Sequence, residues 1–211
     1  LNKNNRFRIV MTLLGCIAIG MGIGTLRMAD LGTDPFTTLL LGVSYFFNIA
    51  FGHVSLVVNA IGILIMILFG RKFIGIGTFF NMILVGYIAD FTFSGLASLI
   101  QQPSFMMRLL IGLIGLLIVI VGASLYIATQ RGVAPYDALP LIIEERSKGT
   151  ISFRNIRVFS DVTSVILGYL LSATVGIMTV IASFLVGPLI QYLRRVFTDF
   201  LLKMESKTSH L

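Results

Sequence analysis

Six apolar runs, each close to 20 residues, punctuate this chain at roughly 7–28, 53–70, 74–96, 106–128, 155–173 and 175–193. A helix rises about 1.5 Å per residue, so about 20 apolar residues match the roughly 30 Å hydrocarbon layer of a bilayer. Charged residues make up only 12% of the 211 residues and apolar ones 56%. A soluble domain carries about 25% charge, so too little polar surface remains here to coat a soluble core. The chain reads as one transmembrane domain over residues 1–211, all-α, with a basic tail at 197–211. Two further apolar stretches, 33–49 and 133–143, lie between the runs. The second is too short to span, and its Pro135 and Pro140 spoil a continuous helix.

An internal repeat organises these runs. Arg8, Gly15, Gly22, Gly32, Pro35, Leu39 and Leu41 recur 100 residues later as Arg108, Gly115, Gly122, Gly132, Pro135, Leu139 and Leu141. After one inserted residue, Val57, Gly75, Thr78, Leu84, Val85 and Gly86 recur as Val158, Gly176, Thr179, Leu185, Val186 and Gly187. The repeats cover about 7–96 and 106–196. Because Cys16 falls on Leu116, inside a later apolar run, the first run belongs to the folded unit and is not read as a cleaved signal.

Charge decides the relative orientation of the halves. With the N-terminus inside and the short stretches not crossing, 14 basic residues lie inside and only Arg27 and Arg108 outside. If both short stretches cross, the split falls to 12 and 4. Positive residues favour the cytoplasmic side, so the expectation is six transmembrane helices as two inverted three-helix repeats. Each repeat would hold one short broken or re-entrant half-helix, and both termini would be cytoplasmic. In many secondary transporters such paired broken helices mark the substrate site.

The short stretches have the form of half-helix starts. In "GTDPFTTLLLGV", Gly32 permits a turn, Asp34 suits an N-cap, and Pro35 suits the first helical position. Thr37 and Thr38 follow in the first turn. In "GVAPYDALPLI", Gly132, Pro135, Tyr136 and Asp137 repeat the pattern, with Asp137 placed to favour the helix dipole. An unpaired backbone amide is expensive in lipid, so such a start needs a cap, an anion or a polar ligand. One reading aims both motifs at a shared cavity; the other makes them capped helices lying at the membrane surface.

Polar residues within the runs add candidates. Asp161 and Asn59 occupy nearly equivalent places in the two halves. Intramembrane ionisable groups are functional hypotheses by default, although Asp161 could simply pair with Arg157 one turn away. Asp90 is placed to pair with Arg27, and mid-run Asn81 needs a polar partner or a wet cavity. Small-residue stripes, including Gly15, Gly22, Gly115 and Gly122, suit close helix packing and permit a homodimer. With one cysteine, two distant histidines and no catalytic constellation, nothing points to an enzyme, a metal site or a cofactor. The net charge of +7 sits at the ends of apolar runs, which does not suggest nucleic acid.

The "LGTDPFTTLLLGVS" and "RGVAPYDALPLII" motifs, the length and the run pattern resemble the YczE/YitT-type group of bacterial integral membrane proteins. The resemblance covers nearly the whole chain and implies a bacterial cytoplasmic-membrane protein. It supplies no substrate and no site residues. The sequence reading is a small-solute permease or secondary transporter. Its candidate site comprises Gly32, Asp34, Thr37, Thr38, Asn59, Gly132, Tyr136, Asp137 and Asp161. The rival is a non-transporting membrane module that scaffolds or regulates a partner, or handles lipid.

Overall fold

The computed structural model describes residues 3–209, and those residues are all-helical outside their connecting loops. Eight α-helices follow in order: α1 (Lys3–Ala29), α2 (Pro35–Phe47), α3 (Phe51–Phe69), α4 (Ile76–Leu99), α5 (Phe105–Ala128), α6 (Pro135–Arg146), α7 (Phe153–Leu170) and α8 (Ile177–Ser209). A single 3₁₀ turn, Arg71–Phe73, links α3 to α4.

Five of these helices, α1, α3, α4, α5 and α8, are long and apolar enough to cross a membrane. The expectation was six. The exception is α7, which has 18 residues and carries Arg154, Arg157 and Asp161. The 33–49 and 133–143 stretches fold as α2, of 13 residues, and α6, of 12. At 1.5 Å per residue each is about 20 Å long or less, short of a bilayer core. α8 runs well past the expected end at 193.

The centre of the molecule is the crossing of α1 and α5. A Cβ built on Gly15 would lie 2.9 Å from Gly122 O, and one on Gly22 would lie 2.8 Å from Gly115 O. Positions that ascend on α1 therefore meet positions that descend on α5, and the two helices run antiparallel. Only hydrogen fits where backbone meets backbone at this distance, so the small-residue stripes are packing surfaces. Cys16, Leu26, Leu116 and Ile120 fill the core beside the crossing. On the flanks, α4 lies against α1 and α8 against α5.

The loops before α2 and α6 clasp the opposite half. Met178 N, at the start of α8, donates to Leu31 O at 2.9 Å; Gly77 N, at the start of α4, donates to Arg131 O at 2.8 Å. Gly32 and Gly132 adopt φ of +94° and +121°, a region that favours glycine. A Cβ at either residue would collide with the threonine hydroxyl opposite, Thr179 Oγ1 at 2.2 Å or Thr78 Oγ1 at 2.6 Å.

From these loops the short helices turn back along partners from the other half. α2 follows α7, with Gly42 against Gly168, and α6 follows α3, with Gly62 against Pro135 and Gly70 against Ile142. The anticipated Arg27–Asp90 pair closes at 2.7 Å where α1 ends. Asn81 is half-buried on α4.

Candidate functional site

The first turns of α2 and α6 meet inside the bundle. Both helices begin with a buried proline at the first helical position. One residue on, Phe36 and Tyr136 stack face to face, with ring centroids 4.3 Å apart and planes 17° from parallel. They occupy equivalent positions in the sequence repeat, so the two half-helix starts touch through matching residues. Stacked aromatic pairs contribute about 0.5–1.5 kcal/mol beyond their burial.

The two starts are capped differently. In α2, Asp34 Oδ1 accepts from Thr37 N at 3.1 Å, and Thr38 Oγ1 donates to Asp34 O at 2.9 Å. Thr33 and Thr38 share a further hydroxyl contact at 3.0 Å. The carboxylate and the threonines thus satisfy the first turn locally. In α6 the cap residue is Ala134, which offers no side-chain bond. Asp137, at the third helical position, reaches away from its own helix to the guanidinium of Arg157 on α7.

Arg157 organises the polar side of the site. Its Nε donates to Asp161 Oδ2 at 3.2 Å, and its guanidinium lies 4.8 Å over the Tyr136 ring. The Tyr136 hydroxyl donates to Asp161 Oδ1 at 2.6 Å and lies 3.4 Å from Ser164 Oγ. Two carboxylates therefore hold one guanidinium. The Arg157, Asp137 and Asp161 side chains keep 33%, 37% and 27% exposure, so the cluster is only partly buried. Asp34 caps the helix start that bears Phe36, the ring stacked on Tyr136.

Of the residues expected at a site, Asp34, Tyr136, Asp137 and Asp161 come together here. Thr37 and Thr38 are buried within the α2 cap. Gly32 and Gly132 sit behind the cluster, against the starts of α8 and α4. Asn59 lies on α3 one turn before Gly62, which abuts Pro135. It is 3% exposed, and its Nδ2 donates to Ser55 O at 2.8 Å while its Oδ1 is buried with no hydrogen-bond partner. A buried amide oxygen left unpaired costs about 1–3 kcal/mol. Phe36, Arg157 and Ser164 were not among the expected site residues. The pairing of Phe36 with Tyr136 in the repeat was the available signal for the first. The i, i+4 spacing from Asp161 pointed to the second, although only as a salt-bridge partner.

Five long apolar helices, two short helices folded back into the bundle and a charged cluster between them define a multi-pass, all-α membrane protein. The chain belongs to the family of unknown function DUF6198, whose pattern it matches over residues 6–195. Its relatives include an uncharacterized protein of Haemophilus influenzae, 27% identical over 89% of this chain and 84% of that one. A second is the uncharacterized protein YyaS of Bacillus subtilis, 27% identical over 84% of this chain and 87% of that one. The uncharacterized membrane protein YczE of Bacillus subtilis is 22% identical over 84% of this chain and 81% of that one, which bears out the YczE-type resemblance. No solved structure matches the chain.

Proposed function

We propose that the protein is a small-solute permease or secondary transporter of the bacterial cytoplasmic membrane. It is built from two inverted repeats of three spans, each with a re-entrant half-helix. The observation that carries the reading is the stack of Phe36 on Tyr136, beside the Arg157–Asp137–Asp161 cluster. Equivalent residues from the two halves meet where a pseudo-two-fold axis would pass, and that junction is where such transporters hold their solute. The antiparallel α1–α5 crossing and the matched backbone bonds Met178 N to Leu31 O and Gly77 N to Arg131 O support the inversion. α7, despite its charges, serves as the sixth span in this reading, with its polar residues turned toward the site.

The charge balance argues for the solute's chemistry. Asp34 and Asp137 already complement the positive ends of their helices, and Arg157 is already held by two carboxylates. An added anion would meet an excess of negative charge, whereas an amine cation, or a proton exchanged with a carboxylate, relieves it.

The test is a thermal-shift screen of the purified full chain against amines, amino acids and organic anions, because binding stabilises the folded state by mass action. The expected result is a stabilising cation whose effect disappears in Asp137→Asn and Asp161→Asn, with uptake of the same compound into proteoliposomes. Stabilisation that is indifferent to both substitutions, or binding without uptake, would favour a non-transporting module.

A further inference from the structure

The two halves are similar in sequence but not equally closed. In the first half, α3 and α4 pack tightly: Cβ atoms built on Gly52 and Gly86 would lie 2.9 Å from Asp90 Oδ2 and 2.7 Å from Ser55 Cβ. In the second half, α7 and α8 make no comparable contact along their length. Gly187, the repeat equivalent of buried Gly86, is exposed, and a Cβ there would meet nothing within 4 Å.

The chemistry differs in the same way. At the end where α1 finishes, Arg27 Nη1 donates to Asp90 Oδ1 at 2.7 Å, and Asp90 Oδ2 accepts from Gly52 N at 2.6 Å. The guanidinium is sandwiched 4.7 Å from the Phe51 ring and 4.6 Å from the Phe93 ring. The repeat places Ile127, Ser152, Phe153 and Gln191 where these halves would need Arg27, Phe51, Gly52 and Asp90. Gln191 accordingly makes no such lock. It lines an open surface pocket of about 380 Å³ between α8 and the loop after α5, with Gln130, Arg194, Arg195, Thr198 and Asp199, at the end of the bundle where α1 starts.

We propose that Arg27, Asp90 and the Gly52 amide form the gate at the end away from the N-terminus, shut in this conformation, while the N-terminal end is the open one. The proposal rests on the transport reading above. In an inverted repeat, access alternates when the halves exchange conformations. Opening the gate therefore means α3 leaving α4 as α7 stands off α8 here, and α7 closing on α8. Arg27 Nε is buried without a hydrogen-bond partner. The lock is thus imperfectly satisfied, which keeps the closed state from being too stable to leave.

The test uses the full chain in membrane vesicles of both orientations, with Cys16→Ala as background. Ser55→Cys, at a site now 2% exposed, and Gln191→Cys are made separately and labelled with a membrane-impermeant maleimide. Asp90→Asn should speed labelling of Ser55→Cys about tenfold from the side opposite the N-terminus. It should slow labelling of Gln191→Cys from the other side, as a two-state population shift requires. Arg27→Gln should do the same if Asp90→Asn does not fold. Unchanged rates, or both rates rising together as in general loosening, would overturn the gate. Neither rate depends on the solute, so that failure is separate from the outcome of the binding screen.

Discussion

Adding one methyl group should have opposite effects at two helical glycines. At Gly122 a Cβ would lie 2.8 Å from Ile19 N, 2.9 Å from Ala18 Cβ and 2.9 Å from Gly15 O. Two of these are backbone atoms, so no side-chain rotation relieves them. α5 must back away from α1 by about 0.5–1 Å, a gap that forfeits a quarter to a half of each lost contact. Overpacking of this kind costs about 1–3 kcal/mol, and the better helix propensity of alanine returns at most about 1. Gly122→Ala should therefore lose about 1–2 kcal/mol net. At Gly95 on α4 nothing lies within 4 Å, so Gly95→Ala keeps only the propensity gain, up to about 1 kcal/mol. At roughly 2–4 °C per kcal/mol for a chain of this size, their unfolding midpoints should differ by about 2–12 °C. The chain has no tryptophan, but its lone thiol, Cys16, is fully buried beside the crossing. A maleimide dye that fluoresces on reacting with Cys16 during a thermal ramp in detergent reads the opening directly. Equal midpoints would refute the claim that α1 and α5 meet backbone to backbone.

Three further substitutions probe the site and its supports. Tyr136→Phe keeps the stack on Phe36 but removes the hydroxyl bonded to Asp161; it should cost about 1 kcal/mol of stability, discounted for partial exposure, and weaken solute-induced thermal shifts. Arg157→Gln leaves Asp137 and Asp161 without their guanidinium, and the midpoint should drop more than in the double variant Arg157→Gln/Asp161→Asn, where one uncompensated charge is also removed. Gly132→Ala forces φ of +121° on an alanine and drives its Cβ to 2.6 Å from Thr78 Oγ1; a loss of about 2–4 kcal/mol is expected, with poor recovery of folded protein on size exclusion as the readout.

The helices were legible because a bilayer demands length and apolarity together, and α1, α3, α4, α5 and α8 supply both. Gly-x-x-Pro at 32–35 and 132–135 also announced where α2 and α6 begin, since proline and the turn before it act locally. The two starts look alike in sequence, yet Asp34 caps its own helix while Asp137 bonds Arg157. That difference is tertiary: it depends on α7 lying beside α6. α7 itself was read as an ordinary span, although its charges were visible, because a periodic apolar run cannot tell whether Arg157 and Asp161 face lipid or each other. The stack of Phe36 on Tyr136 was hidden for a similar reason. The repeat aligns the two rings, but only the antiparallel meeting of the halves makes them touch.

The crossed clasp at the loops has a consequence for how such a chain comes to exist. Leu31 O receives its hydrogen bond from Met178, and Arg131 O receives its own from Gly77. Neither half supplies the donor for its own loop. A lone half would enter the membrane with a carbonyl and an amide unmatched and one face of α1 or α5 bare, which lipid penalises. The first half, although synthesised first, is complete only once the start of α8 has arrived. By the same reasoning, a gene half this length could have made a complete protein only as a pair of copies, each supplying the donor for the other's loop.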